Sequence, residues 1–284
     1  MKISSALALT LALGTNASAG SLVDLRSDLS DLSVANGGLI NGANSLNADK
    51  LYIETTGATY LPGFDETGVS AADGGSGNVV ATSINYRSFA GATTTGTGTL
   101  TLLDWRFTDD VPLLLGEAQA SIYDFVYRDS ADGKLVFATR YLNRVDNDQE
   151  ANFLYRYGFT GLQTAAAWTF ATDFDLRMYQ AGRTASTSND ALVPFDADSV
   201  RQKGDFSMTE GNPWSGLFLV KTNAQSYLLG SKAIGFFQAG EEGQSQIGGF
   251  IGGWVPAPVP EPGAYALLLA GLAAVALARR RRGN

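Results

Sequence analysis

The chain has 284 residues, 45% of them hydrophobic and 17% charged, with a formal net charge of −8 at pH 7. That is too apolar for a disordered polypeptide, and long enough for one large domain or two small ones. It contains no Cys and no His, which excludes disulfides, Cys nucleophiles, Ser-His-Asp triads, His/Cys zinc sites and axial haem histidines.

Residues 1–19 read as a secretory signal peptide. Lys2 supplies the positive start, Ala6 to Leu13 the apolar run, and Ala17-Ser18-Ala19 the small-residue cleavage site, with cleavage expected after Ala19. As a helix the run would span only ~12 Å, against a hydrocarbon core of ~30 Å, so a membrane anchor at this end is disfavoured.

Residues 20–255 are expected to form an exported all-β domain. Spaced leucines and the turn signals Asn36-Gly37-Gly38 and Asn41-Gly42 occupy its start. A period of two follows, at Val80, Thr82, Ile84 and Tyr86, then at Leu103, Trp105 and Phe107, at Tyr123, Phe125 and Tyr127, and at Leu135, Phe137 and Tyr141. It continues at Phe153, Tyr155, Tyr157 and Phe159, and from Trp168 to Met178. Each set predicts a half-buried strand. Asp129 to Gly133 predicts a hairpin loop with Gly133 at positive φ, Asp146 to Gln149 a similar polar link, and the series an antiparallel meander.

Leu217 to Val220, Tyr227 to Leu229 and Ala233 to Ala239 predict strands buried on both faces, and Gly248 to Gly253 a crowded last strand. Gly74 to Gly77, Thr93 to Thr99 and Thr184 to Asn189 are expected as exposed loops, the last being the boundary if there are two domains. The fold class is therefore all-β, an antiparallel β-sandwich or jelly-roll-like single domain.

The chemistry left to a chain without His and Cys is that of carboxylates. Asp173 and Asp175 on one strand face would stand about 7 Å apart, inside the ~6.5–9.5 Å separation of inverting glycosidases. A solvated strand face beside Arg177 explains them better. Asp146, Asp148 and Glu150 alternate as calcium ligands do, but Ala151 and Tyr157 stand where an EF-hand needs Gly and Glu, leaving a looser calcium site or a plain hairpin. The aromatic strand faces are expected to be core. Trp214, after Asn212-Pro213, and Trp254, before the proline segment, are the candidates for exposed glycan-stacking platforms. No phosphate loop and no Ser-x-x-Lys is present.

Residues 256–262 form a Pro-rich spacer, 263–278 an uncharged Leu/Ala-rich stretch, and 279–284 a tail opening with Arg279, Arg280, Arg281 and Arg282. The apolar stretch predicts a transmembrane helix of ~24 Å with the arginines held on the cytoplasmic side. A buried core helix with a basic tail is the rival, and it gives no reason for a proline spacer before it or an arginine run after it. With leader and tail removed, residues 20–259 hold 15 basic and 27 acidic residues, since Lys2, the four terminal arginines and Glu261 lie outside them. An excess of 12 negative charges repels nucleic acid and anionic lipid.

Val259-Pro260-Glu261-Pro262, an apolar stretch and a terminal Arg cluster together resemble the PEP-CTERM sorting signal of Gram-negative bacteria. The resemblance implies recognition by an exosortase-type transpeptidase, cleavage near Pro260, Glu261 and Pro262, a transient tether in the inner membrane, and an association with exopolysaccharide and biofilm. It covers about 25 residues and carries an address but no activity. The expectation is a non-enzymatic structural or glycan-interacting protein of the cell surface or matrix. The alternatives are a carboxylate-dependent glycan hydrolase or lyase and a calcium-stabilised adhesion module.

Overall fold

A computed structural model describes residues 22–25, 39–41, 51–63, 65–66, 77–90, 93–114, 117–143, 151–169, 178, 180–184, 188–190, 192–206, 214–238, 245–257 and 272. In chain order the strands are β1 (Val23–Leu25), β2 (Leu39–Asn41), β3 (Ile53–Tyr60), β4 (Asp65–Glu66), β5 (Gly77–Asn78), β6 (Ala81–Ala90), β7 (Thr93–Leu114), β8 (Glu117–Asp129) and β9 (Leu135–Asn143). They continue with β10 (Ala151–Arg156), β11 (Thr164–Thr169), β12 (Gln180–Gly182), β13 (Ser188–Asp190), β14 (Val193–Phe195), β15 (Val200–Phe206), β16 (Leu217–Thr222), β17 (Tyr227–Gln238) and β18 (Ile247–Pro256). Among the described residues no helix is long and apolar enough to cross a membrane, and apart from Leu272 the stretch 263–278 lies outside them.

The all-β antiparallel expectation holds. An eight-stranded sheet runs β1-β11-β16-β9-β8-β7-β6-β3 and a six-stranded sheet β18-β17-β10-β15-β12-β2, with β13-β14 and β4-β5 as separate pairs. The meander read from the sequence is β6 to β9, with β3 beside it. Its best-defined turn is the Asp129 to Gly133 loop, where the Asp129 amide donates to Lys134 O, the Gly133 amide donates to Asp129 O, and Gly133 takes φ 73°. Keeping these consecutive strands in one sheet departs from a jelly roll, whose strands alternate between sheets.

The large sheet curls into a half-barrel. β3, its last strand, comes back to β11, where Tyr52 bridges Trp168 and the Thr55 and Thr169 hydroxyls meet at 2.8 Å. Its middle strands therefore bury both faces. On β9, Val136, Ala138 and Leu142 enter the core inside the curl with Tyr123, Phe125 and Tyr127 of β8. Leu135, Phe137 and Tyr141 enter a second core between the sheets, with Ile122 and Val126 of β8, Leu154 of β10, Val200 of β15, and Ile234 and Phe236 of β17. Alternation in these strands separates two cores, where the sequence predicts core on one side and solvent on the other.

Other differences have local causes. The β7–β8 register shifts between Leu102 and Asp104, so Leu102 and Trp105 turn to the core while Leu103 is 39% exposed; Phe107, on the face of Trp105, stacks on buried Tyr123 at 5.7 Å with its outer side exposed. Thr93 to Thr99 is strand, paired with β6, and a Cβ on Gly98 would lie 2.6 Å from the Tyr86 hydroxyl, so the glycine makes room for a buried ring. Thr184 is buried. Tyr227 to Leu229 and Ala233 to Gln238 belong to one strand, with the second part and all of β16 buried but Leu228 and Leu229 exposed. Pro256 ends β18, which is an edge strand, where proline costs no ladder bond.

Candidate functional site

Most sequence-predicted site residues lie outside the described residues: Ala17 and Ala19; Asp146, Asp148 and Glu150; Asp173 and Asp175; Pro260, Glu261 and Pro262; and Arg279 to Arg282. The two tryptophans lie within them, and neither is an open platform. Trp214 is 1% exposed, because its bridge to Leu142 draws the indole into the core of the curl, where the Arg140 guanidinium sits 4.0 Å from its ring centroid. Trp254 packs partly buried against the inter-sheet core, edge-on to Tyr227 at 5.2 Å, with its indole nitrogen buried.

Trp254 matters through its backbone instead. β8 of the large sheet carries Asp124, and β10 of the small sheet carries Arg156. Each stands between aromatic neighbours at a position that alternation assigns to solvent. Both faces of these strands are covered, so the two charges are buried and must pair. Arg156 Nη1 donates to Asp124 Oδ1 at 2.8 Å, to Thr139 Oγ1 at 2.6 Å and to Ala138 O at 3.2 Å. Arg156 Nη2 donates to Trp254 O at 2.8 Å, and the Trp254 amide donates to Asp124 Oδ2 at 2.6 Å. Burial pushes the Asp124 carboxyl above its ordinary range, while Arg156 and the Trp254 amide pull against it.

This clasp fixes the end of the domain. Gly253 brings the strand against the Asp124 carboxylate, which a Cβ there would strike. Glycines 248 and 249 admit Val193 and Phe236 as closely, so the crowded last strand expected from the sequence is present. Beyond Trp254, Pro256 pairs with Tyr227, and the Ala257 amide donates to Ser226 O at 2.9 Å. The folded chain is thus held in register to within three residues of Pro260.

A second charged cluster closes the turn end of β8. Lys221 Nζ lies 2.7 Å from Asp129 Oδ2 and 2.9 Å from Asp132 Oδ2, and the Tyr86 hydroxyl donates to Asp129 Oδ2 at 2.7 Å. A shallow polar cleft beside it is lined by Asp24, Asp132, Lys134, Gln163, Lys221 and Asn223. Its charges neutralise one another, so it suits hydrogen bonding to a neutral polar group. Among the described residues no group of three or more carboxylates is placed to hold a metal ion.

Sequence reasoning missed Asp124, Arg156, Asp129 and Lys221. For the first two the available signal was a charge flanked by aromatics in a strand whose other polar positions are also apolar, as in Tyr123 to Tyr127.

No curated protein and no solved structure matches the chain. Residues 258–282 match the model of the PEP-CTERM protein-sorting motif, which begins one residue after Ala257, whose amide makes the last backbone hydrogen bond among the described residues. The motif marks an exported protein whose membrane-anchored precursor is recognised by an exosortase. The chain is a β-domain protein bearing a C-terminal PEP-CTERM sorting motif.

Proposed function

We propose that the protein is a non-enzymatic structural or glycan-interacting component of the cell surface or extracellular matrix of a Gram-negative bacterium. The leader 1–19 is removed on export, 263–278 spans the inner membrane with Arg279 to Arg282 on the cytoplasmic side, and an exosortase cuts near Pro260-Glu261-Pro262. The observation that carries this reading is the direct junction between the sorting motif and the clasped strand β18. An address joined to a domain so firmly closed at its exit delivers that domain whole.

The structural role is supported by how the buried carboxylates are used. Asp124 and Asp129 are both committed to cations, Arg156 and Lys221, as fold-holding groups are. The acidity of the exported body keeps it solvated and suits neutral glycans or divalent cations over anionic partners.

The test is to purify the mature protein and incubate it with the extracellular polysaccharide of its host, with and without calcium. The proposal expects the protein to be retained by the polysaccharide with no release of new reducing ends. Steady release of reducing ends, abolished in Asp173→Asn or Asp175→Asn, would establish the hydrolase alternative. Retention that requires calcium and is lost in Asp148→Ala would establish the adhesion module.

A further inference from the structure

The β17–β18 hairpin has two unlike halves, divided by the register shift between Gly230 and Ile234. From Ala233 to Gln238 the strand is buried, while from Tyr227 to Lys232 it is half-buried or exposed. Leu228 and Leu229 are 42% and 57% exposed. Consecutive strand residues point to opposite faces, so each face of the hairpin carries one exposed leucine at this end, beside the partly buried Val255 and Trp254. These leucines pair with Val255 and Trp254, two and three residues before Ala257, the residue from which the sorting tail departs.

Single exposed leucines are common and mean little alone. Here the position decides. Residues 258–262 are all that separates Ala257 from the apolar stretch 263–278, and even fully extended they reach only ~20 Å. While the tail is in the bilayer, this end of the hairpin is held within that distance of the lipid surface, at a high local concentration.

We infer that the end of this hairpin, carrying exposed Leu228 on one face and Leu229 on the other, is a docking edge that dips end-on into the periplasmic leaflet of the membrane that holds the precursor. The chemistry agrees. In an acidic chain, Ser226 to Lys232 and Ile251 to Ala257 contain no carboxylate, and the exposed Lys232 offers an ammonium to lipid phosphates. The edge would present the Pro260-Glu261-Pro262 segment to a membrane-embedded enzyme in a fixed attitude, and lose its tether once the tail is cut. The inference rests on the membrane-anchored reading of the tail.

The absence of cysteine permits a direct test. Leu229→Cys and, as a comparison on β7, Leu103→Cys are made in the full chain, labelled with a polarity-sensitive fluorophore, and reconstituted in phosphatidylethanolamine/phosphatidylglycerol vesicles. Both positions are exposed, so neither change disturbs a core. Flotation with the vesicles reports the anchor. The expected result is flotation of both, with the probe at 229 blue-shifted and protected several-fold from aqueous iodide relative to that at 103. Flotation with equal iodide access at both positions would overturn the docking edge and leave the anchor standing. Failure to float would overturn the anchor and, with it, this inference.

Discussion

Arg156 and Asp124 meet at 2.8 Å with side chains 1% and 3% exposed, and between them they take both backbone groups of Trp254. One ion pair thereby joins β8 of the large sheet, β10 of the small sheet and the final strand β18. Removing either charge strands the other in the core and releases β18. Asp124→Leu and Arg156→Met should each cost about 3–5 kcal/mol, and the double variant clearly less than their sum. Urea unfolding of the three variants measures this. Additive losses would mean that the two side chains act independently.

Close approach at the exit strand makes a second test. A methyl at residue 253 would run into Asp124 Oδ2 and lie 3.2 Å from Ala233 Cβ, so Gly253→Ala should destabilise by about 1–3 kcal/mol. Gly57→Ala is the contrast. Its Cβ finds only Asn85 Nδ2 at 3.7 Å on an exposed strand, and its effect should stay within about 0.5 kcal/mol. Thermal melts that rank the two in the opposite order would refute the packing described for β18.

Acid stability should depend on the Lys221 cluster. Burial acts to raise the Asp132 carboxyl, but hydrogen bonds from Lys221 and the Lys134 amide, with the two ammonium charges, outweigh it and hold the group below its ordinary 3.8. A carboxyl lowered on folding stabilises above its unfolded value, and that contribution disappears as the pH falls through the folded one. The native protein should lose this increment as the pH falls from the ordinary 3.8 through the lower folded value, and Lys221→Met should weaken the dependence, leaving only what Lys134 supplies. Carboxyl NMR titration follows the group directly. An unchanged Asp132 titration in Lys221→Met would exclude the coupling.

Alkaline behaviour is governed by the buried phenols. Burial pushes Tyr86, Tyr127 and Tyr141 above their ordinary 10.0, and the Asp129 carboxylate adds to the effect on Tyr86. These groups bind their protons more tightly when folded, so stability should fall as pH rises past 10.0, where the unfolded chain ionises first. Tyrosine absorbance should show the three phenols ionising together with loss of near-ultraviolet circular dichroism. Their ionisation in a still-folded chain would contradict their placement.

What could be read from the sequence was what is decided locally. The Asp129 to Gly133 turn follows from Asp and Gly chemistry in five residues, and the sorting motif is recognised from contiguous sequence, so both were legible. Alternation located the strands but not their surroundings. Asp124 and Arg156 occupy positions that face solvent in a sheet with one open side, and they became core only because two sheets cover both faces. Trp214 is buried through a bridge to Leu142, 72 residues away, which no local pattern encodes. The register shift after Leu102 likewise depends on its partner strand, so Leu103 was assigned to the wrong face, whereas Trp105 and Phe107 keep the face of Phe125 and Tyr123.

The central claim is that residues 258–282 direct a finished domain out of the cell, and cell fractionation with intact-mass measurement tests it most directly. Protein made from the complete chain should be recovered outside the cell, or on its surface, ending near Pro260-Glu261-Pro262, whereas a chain stopped after Ala257 should collect folded in the periplasm. Equal delivery of both forms to the exterior, or a surface form that retains Arg279 to Arg282, would contradict it.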